Sequence, residues 1–253
     1  MSALPTSSLA QRARAWGGAW AEALFPASCA LCGASGARLC ADCRADLEAP
    51  LAQCCPQCAV PLPRPTEEDR QAEPCGPVPC GHCLSTRPAF DRSLASAQYT
   101  APFDQLIVAL KYHADLAQAP LFADLLAARL ERQLVAQDRP DLLLAVPLSP
   151  ERLAERGYNQ AGEIARALGR RTGIPVRDVA WRVRHTAAQA QLPLDARRRN
   201  VRGAFAVHGD VRERVVGVVD DVMTTGATLS ELARVLKAAG ARRVVNLVVA
   251  RTP

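Results

Sequence analysis

The sequence predicts an α/β fold, a mainly parallel sheet flanked by helices, preceded by a small cysteine-rich zinc-binding module. Three observations carry this. All ten cysteines lie between Cys29 and Cys83. From Phe90 onward, short apolar runs of strand character alternate with helical patterns, the mark of a parallel sheet covered on both faces. Finally, the run Val215-Val216-Gly217-Val218-Val219 ends on Asp220-Asp221, passes through Thr224-Thr225-Gly226-Ala227-Thr228 and opens a helical pattern over 229–239. The composition changes between residues 89 and 90, so the sequence divides into a cysteine-rich part, 1–89, and an α/β domain, 90–253.

At 253 residues the chain can bury a sizeable core. A hydrophobic fraction of 49% and a charged fraction of 22% are ordinary for a globular protein. No uninterrupted apolar run approaches the ~18 residues a membrane-spanning helix needs. Arg12 and Arg14 precede an Ala/Trp-rich stretch, but Glu22 interrupts what would be a signal core, so a cytoplasmic location is expected. The formal charge of +6 favours polyanionic partners mildly. Of 31 basic residues only Lys111 and Lys237 are lysine, which makes each of them worth tracing.

In chain order, residues 8–25 read as an amphipathic helix with Leu9, Trp16, Trp20, Leu24 and Phe25 as packing positions, its simplest role being to pack on the cysteine module. Four C-x-x-C pairs follow: Cys29/Cys32, Cys40/Cys43, Cys55/Cys58 and Cys80/Cys83. Each knuckle offers two thiolates to a tetrahedral Zn²⁺, so eight thiolates match two four-cysteine sites. The pairs can be joined sequentially or cross-braced; spacing alone allows both. A disulfide framework belongs to an oxidising compartment, and no thioredoxin-like pattern surrounds any pair to make it a redox dithiol. Cys54 and Cys75 fall outside the pairs, and His82 sits inside a knuckle. Residues 61–79, rich in proline and charge, read as a flexible excursion. A module this small builds little apolar core, so zinc is expected to supply its folding energy.

The α/β part begins with a strand over 93–100. A helix follows Ala101-Pro102, with Phe103, Leu106, Ile107 and Leu110 on one face, ending near Lys111-Tyr112-His113. A second helix covers about 120–135, and a buried strand 141–146 stops at Pro147. Residues 147–160 read as a loop that leads into a helix ending near 171. Further strands are predicted over 176–183, at the Val215 run, and over 243–250.

Three stretches carry chemistry. At the turn 224–228, outward amides at a helix N-terminus, Gly226 and the hydroxyls of Thr224, Thr225 and Thr228 suit a phosphate. Asp220 and Asp221, at the carboxyl end of a buried strand, suit vicinal hydroxyls. A P-loop ATPase is excluded, because no G-x-x-x-x-G-K-[ST] occurs. Arg152, Arg156, Gly157, Asn159 and Gln160 supply cationic and amide donors where a pyrophosphate would need them, or else form a solvated face. The run from Arg182 through Arg184, His185, Thr186, Gln189, Gln191 and Leu192 to Arg197-Arg198-Arg199-Asn200 and Phe205 reads as a mobile basic flap, or as a surface patch for nucleic acid.

The acid pair and its turn resemble the phosphoribosyl pyrophosphate (PRPP) signature of the type I phosphoribosyltransferases. With the cysteine knuckles, Leu110-Lys111-Tyr112, Val146-Pro147 through Arg156-Gly157-Tyr158-Asn159-Gln160, and Arg184-x-Thr186-x-x-Gln189, the chain resembles the ComF family from Cys29 to Arg251. The resemblance implies a Cys₄ zinc module fused to a type I phosphoribosyltransferase-like sheet. It implies Mg²⁺–PRPP on Asp220, Asp221, Thr224, Thr225, Gly226, Ala227, Thr228 and Lys111, with pyrophosphate near Arg152 and Arg156. Zinc falls to Cys29, Cys32, Cys40, Cys43, Cys55, Cys58, Cys80 and Cys83. It further implies a part in natural competence, with single-stranded DNA and DNA-uptake proteins as partners. No acceptor follows, and no catalytic base is evident. A phosphoribosyltransferase with positioning and electrostatics carrying the rate therefore stands beside an inactive scaffold or sensor that binds nucleic acid or uptake-machinery partners.

Overall fold

The computed structural model describes residues 27–63, 78–184 and 201–253. The expected helix over 8–25, most of the excursion over 61–79, and the flap from His185 to Asn200 lie outside the described residues. The chain divides into two compact units, Met1–Asp46 and Leu47–Pro253.

In chain order the elements are α1 (Ala41–Glu48), α2 (Gly81–Thr86), β1 (Arg92–Gln98), α3 (Phe103–Tyr112), α4 (Gln118–Gln133), β2 (Leu142–Ala145), α5 (Pro150–Arg156), α6 (Gln160–Thr172), β3 (Ala180–Arg182), β4 (Phe205–Val207), β5 (Val215–Met223), α7 (Ala227–Ala238) and β6 (Arg243–Arg251). Strands β1, β6, β5 and β2 form a four-stranded sheet in that order, every pairing parallel. Beyond β2, the stretch around Val176 adds a single parallel bridge to Leu143. The expected strand over 176–183 is therefore two pieces: that bridge, then β3, which turns away to pair antiparallel with β4.

Each face of the sheet is covered, as continuous apolar strands require. Side chains alternate along β2. Leu143 points to the α6 side, where it meets the position of Gly169, while Leu142, Leu144 and Val146 join the opposite core. That opposite core contains Leu229, Leu232 and Leu236 of α7 and Ala180 and Phe205 of the β3–β4 ladder. It also contains Cys55, Cys58 and Cys83. The second cysteine cluster thus packs as part of the sheet's own covering layer. Gln57 donates from its side-chain amide to the carbonyls of Pro88 (3.3 Å) and Phe90 (3.1 Å), and Arg251 Nε donates to Cys58 O at 2.9 Å.

A second element departs from the sequence expectation. Residues 150–156 are helical, not loop. Ser149 caps the helix by accepting from the Arg152 N–H, Pro150 occupies its first turn, and Gly157 closes it at φ 75°. Arg152 and Arg156 consequently sit four residues apart on a helix, on the same face.

Candidate functional site

The site is assembled at the carboxyl end of β5, which runs through both acids to Met223 before the chain turns. Gly226 adopts φ 73° and is the N-cap of α7. That left-handed conformation favours glycine, and a Cβ there would lie 2.6 Å from Met223 Cε, the end of a side chain that would have to move. Thr225 Oγ1 accepts from the Ala227 N–H at 3.3 Å and holds the turn in shape. Helix α7 is 12 residues long, so its dipole and first-turn amides favour an anion beside this turn.

The two acids differ. Asp221 is buried, and its Oδ2 is 2.9 Å from Lys111 Nζ. Asp220 is partly exposed, yet protein atoms crowd its carboxylate; burial, then the neighbouring Asp221 charge, pushes it up to about 7 against the pull of Lys111. Burial works against the Lys111 ammonium too, but the attraction of Asp221 and then Asp220 outweighs it and lifts the group above its ordinary value. The two acids expected together on a diol thus differ in surroundings: Asp220 is partly exposed, its Oδ1 accepting from the Asp221 N–H at 2.9 Å, and Asp221 is engaged with Lys111.

Lys111 is itself held in place. Tyr158 donates its hydroxyl to Leu110 O, and Gln160 Nε2 donates to Lys111 O at 3.4 Å. Asn159 Nδ2 donates to Val146 O at 3.0 Å, while its Oδ1 caps α6 through Gly162 N–H. The amides of Asn159 and Gln160, read from sequence as donors to a pyrophosphate, instead tie β2 and α6 to the end of α3. Arg156 lies over the Tyr112 ring at 5.4 Å, and both Arg152 and Arg156 are partly buried.

Arg182, read from sequence both within the 176–183 strand and as the start of the basic flap, belongs to β3, where it is buried against the Phe205 ring at 5.4 Å. Burial lowers its guanidinium below the ordinary value, Arg152 adds to this, and Asp220 opposes it, so both lie within reach of the Arg182 charge. Its signal was the alternation Ala180 in, Trp181 out, Arg182 in.

A cavity of about 530 Å³ borders the turn. Thr225, Gly226 and Ala227 form one wall, Cys58 and Cys83 another, with Arg202 nearby. None of Asp220, Asp221, Lys111, Arg152 or Arg156 lines it.

The cysteine clusters are sequential. Cys29, Cys32, Cys40 and Cys43 bring their sulfurs within 4.8 Å of one another, and so do Cys55, Cys58, Cys80 and Cys83; the cross-braced alternative is not adopted. All nine cysteines among the described residues are free of disulfides, Cys54 included. Backbone N–H groups aim at the sulfurs. Amides of Cys32, Cys40 and Leu31 lower the Cys29 thiol to about 6, and burial at Cys55 is outweighed by amides of Cys80, Cys58 and Gln57, which bring that thiol to about 7. Four convergent sulfurs with amide support are the donor set of a structural zinc site.

Replacing Lys111 by Met leaves the Asp221 carboxylate buried without its partner. The expected cost is about 3 kcal/mol, read as a drop of about 6–12 °C in Tm by calorimetry. Adding Asp221→Asn should recover part of the loss; an undiminished deficit in the double variant contradicts the pairing.

The double zinc ribbon family matches residues 20–85. The DNA utilization protein YhgH of Salmonella typhimurium is 32% identical over 206 residues, covering 78% of this chain and 84% of that protein. Competence protein F of Haemophilus influenzae is 33% identical over 171 residues, covering 65% of this chain and 75% of its own. The chain belongs to the ComF family. The ComF sheet, with helices about it and a zinc ribbon before it, is the architecture its sequence predicts. Among solved structures, the purine phosphoribosyltransferase of Pyrococcus horikoshii matches 51% of this ComF chain and 70% of its own at 21% identity, with a TM-score of 0.29, too slight a likeness to bear on the site. In the ComF chain, no helix among the described residues is long and apolar enough to cross a membrane.

Proposed function

We propose that this ComF protein binds Mg²⁺–PRPP at the end of β5 and acts in DNA uptake, a role supported by relatives that are named for DNA utilization and for competence. The carrying observation is the convergence of an open carboxylate, Asp220, with the Lys111–Asp221 pair beside a glycine-shaped turn at a helix N-terminus. The turn over 224–228 receives the 5′-phosphate, and Asp220 accepts from the ribose hydroxyls. Lys111 and Asp221 fix the floor beneath them. Arg152, Arg156 and Arg182 face the pyrophosphate with positive charge.

Mg²⁺ would be held by the donor's phosphate oxygens, with the carboxylate oxygens of Asp220 and Asp221 the protein's hard-oxygen groups beside it, and would supply charge neutralisation, while the guanidinium groups would pair with the remaining phosphate charge. Transfer from such a donor breaks the C1′–O bond, whose electron pair leaves on pyrophosphate, while a nitrogen lone pair closes the C1′–N bond and the acceptor's proton passes to solvent. The residues contribute position and charge: arginines stabilise the departing pyrophosphate, and the diol contact fixes the ring.

A thermal-shift titration tests the reading. Saturating Mg²⁺–PRPP at about 100 times its Kd should stabilise the folded protein by about 2.7 kcal/mol, and ribose 5-phosphate should shift it less. Gly226→Val, which forces the turn open, should fold with a lower Tm and lose the ligand-induced shift. A shift of equal size in the variant overturns the phosphate assignment.

A further inference from the structure

The cavity beside the turn has far more room than a phosphate needs. Its volume of about 530 Å³ lies within the ~300–1,000 Å³ of pockets that enclose a small organic molecule. Along α7 it touches Ala227, Ser230, Glu231 and Arg234, which share one face of the helix. At 1.5 Å per residue, that stripe carries the cavity ~10 Å along α7 from the phosphate turn.

The cavity lies across the turn from the acids. Thr225, Gly226 and Ala227 line it, whereas Asp220, Asp221, Lys111, Arg152 and Arg156 do not. A ribose 5′-phosphate on the turn, with its ring on Asp220, therefore keeps C1′ on one side and the cavity on the other. A group of such a ligand reaches the cavity only if it is joined through the 5′-phosphate.

Both walls that face α7 are tied to it. Ser230 Oγ accepts from the Ala89 N–H at 3.1 Å, between the lining residues Pro88 and Phe90. Glu231 accepts from the Gly203 N–H at 2.7 Å and from Arg234 Nε at 2.9 Å, which holds the stretch 201–203 against the helix. Phe90 and Val201 are fully buried and give the cavity an apolar floor. Arg202 is exposed at its edge and supplies a cation separate from the arginines on the pyrophosphate side. An apolar floor with one cation near a phosphate turn suits a ring system joined to a second phosphate.

We propose that the cavity receives a second nucleoside joined 5′ to 5′ through a diphosphate, so that the β5 site takes dinucleotide-type ribosyl 5′-diphosphates. The added base lies on Phe90 and Val201, and Arg202 meets the second phosphate. The inference rests on the reading of the turn as a ribose 5′-phosphate subsite. PRPP, with a terminal 5′-phosphate, fills that subsite and does not enter the cavity.

The test is calorimetry of the full-length, zinc-loaded protein with ribose 5-phosphate, ADP-ribose and Mg²⁺–PRPP. ADP-ribose should bind at least ~10-fold more tightly than ribose 5-phosphate, the gain from one charge-assisted contact to Arg202, and ribose 5-phosphate in excess should displace it. Thr86→Trp fills the cavity from the partly exposed end of α2 and should abolish that advantage, with affinities for ribose 5-phosphate and Mg²⁺–PRPP unchanged. Arg202→Gln, at an exposed side chain, should weaken ADP-ribose alone by ~10-fold. The cavity assignment is overturned if ADP-ribose binds no more tightly than ribose 5-phosphate, if neither variant diminishes its advantage, or if ribose 5-phosphate fails to displace it. Mg²⁺–PRPP separates the two readings. Its binding without an ADP-ribose advantage overturns the cavity assignment alone, and an ADP-ribose advantage without its binding overturns only PRPP as the donor.

Discussion

Loss of the second zinc site is expected to unfold the whole of Leu47–Pro253, not only its own knuckles. Cys55, Cys58 and Cys83 lie in the same buried cluster as Val218 of the central strand and Leu229 and Leu232 of α7. Arg251, the last residue of β6, donates to Cys58 O. Without metal, four convergent sulfurs sit in that layer with nothing to hold their charge, and burial pushes Cys58 up to about 11. Zinc ribbon sites bind with about 10–16 kcal/mol, as much as the about 5–15 kcal/mol by which whole domains are stable. Cys83→Ser should therefore abolish the cooperative melt of the sheet, or lower its Tm by at least about 10–20 °C, as expected for a loss of 5 kcal/mol. Cys43→Ser strikes the other cluster, in the unit Met1–Asp46, and should leave that melt within about 3 °C. Circular dichroism of the two variants decides; equal losses in both, or none in either, contradict the assignment of the second site to the core.

What the sequence made legible was local. The knuckles could be read because two thiolates per tetrahedral ion impose a fixed short spacing. The β5–turn–α7 unit could be read because strand, acids, glycine turn and helix follow in one unbroken run. The short helix α5 announced itself with Ser149-Pro150 and Gly157, but seven residues next to Pro147 give too little apolar periodicity to separate a helix from a loop. What stayed hidden was tertiary. Asn159 and Gln160 looked like open donors because nothing nearby in the chain reveals that their partners are Val146 O and Lys111 O. The bond from Lys111 to Asp221 joins residues 110 positions apart, and only the scarcity of lysine pointed to it. Arg182 was grouped with the flap because three residues of β3 are too few for alternation to outweigh the polar run that follows. The place of the second zinc ribbon on the sheet face follows from packing alone.

Substituting Asp220 by Asn is expected to separate stability from binding. Burial and the Asp221 charge raise the Asp220 carboxyl to about 7, so the fold favours its neutral form. That stabilising contribution is present in full below the ordinary carboxylate range and is lost as pH rises through about 7. Asparagine keeps the neutral shape at every pH, so the variant should be the more stable protein at pH 8. Binding runs the other way. A diol donates its hydroxyls, and the ionised carboxylate is the better acceptor, so wild-type affinity for Mg²⁺–PRPP should fall about tenfold from pH 8 to pH 6 as Asp220 takes up its proton.

The decisive measurement is calorimetric titration of Mg²⁺–PRPP into wild type and Asp220→Asn at both pH values. A saturable wild-type isotherm that weakens toward pH 6, together with a folded variant binding at least about 100-fold more weakly at pH 8, is the predicted result, the loss of two charge-assisted hydrogen bonds. Equal affinities in the two proteins, or no heat of binding in the wild type, contradict the site.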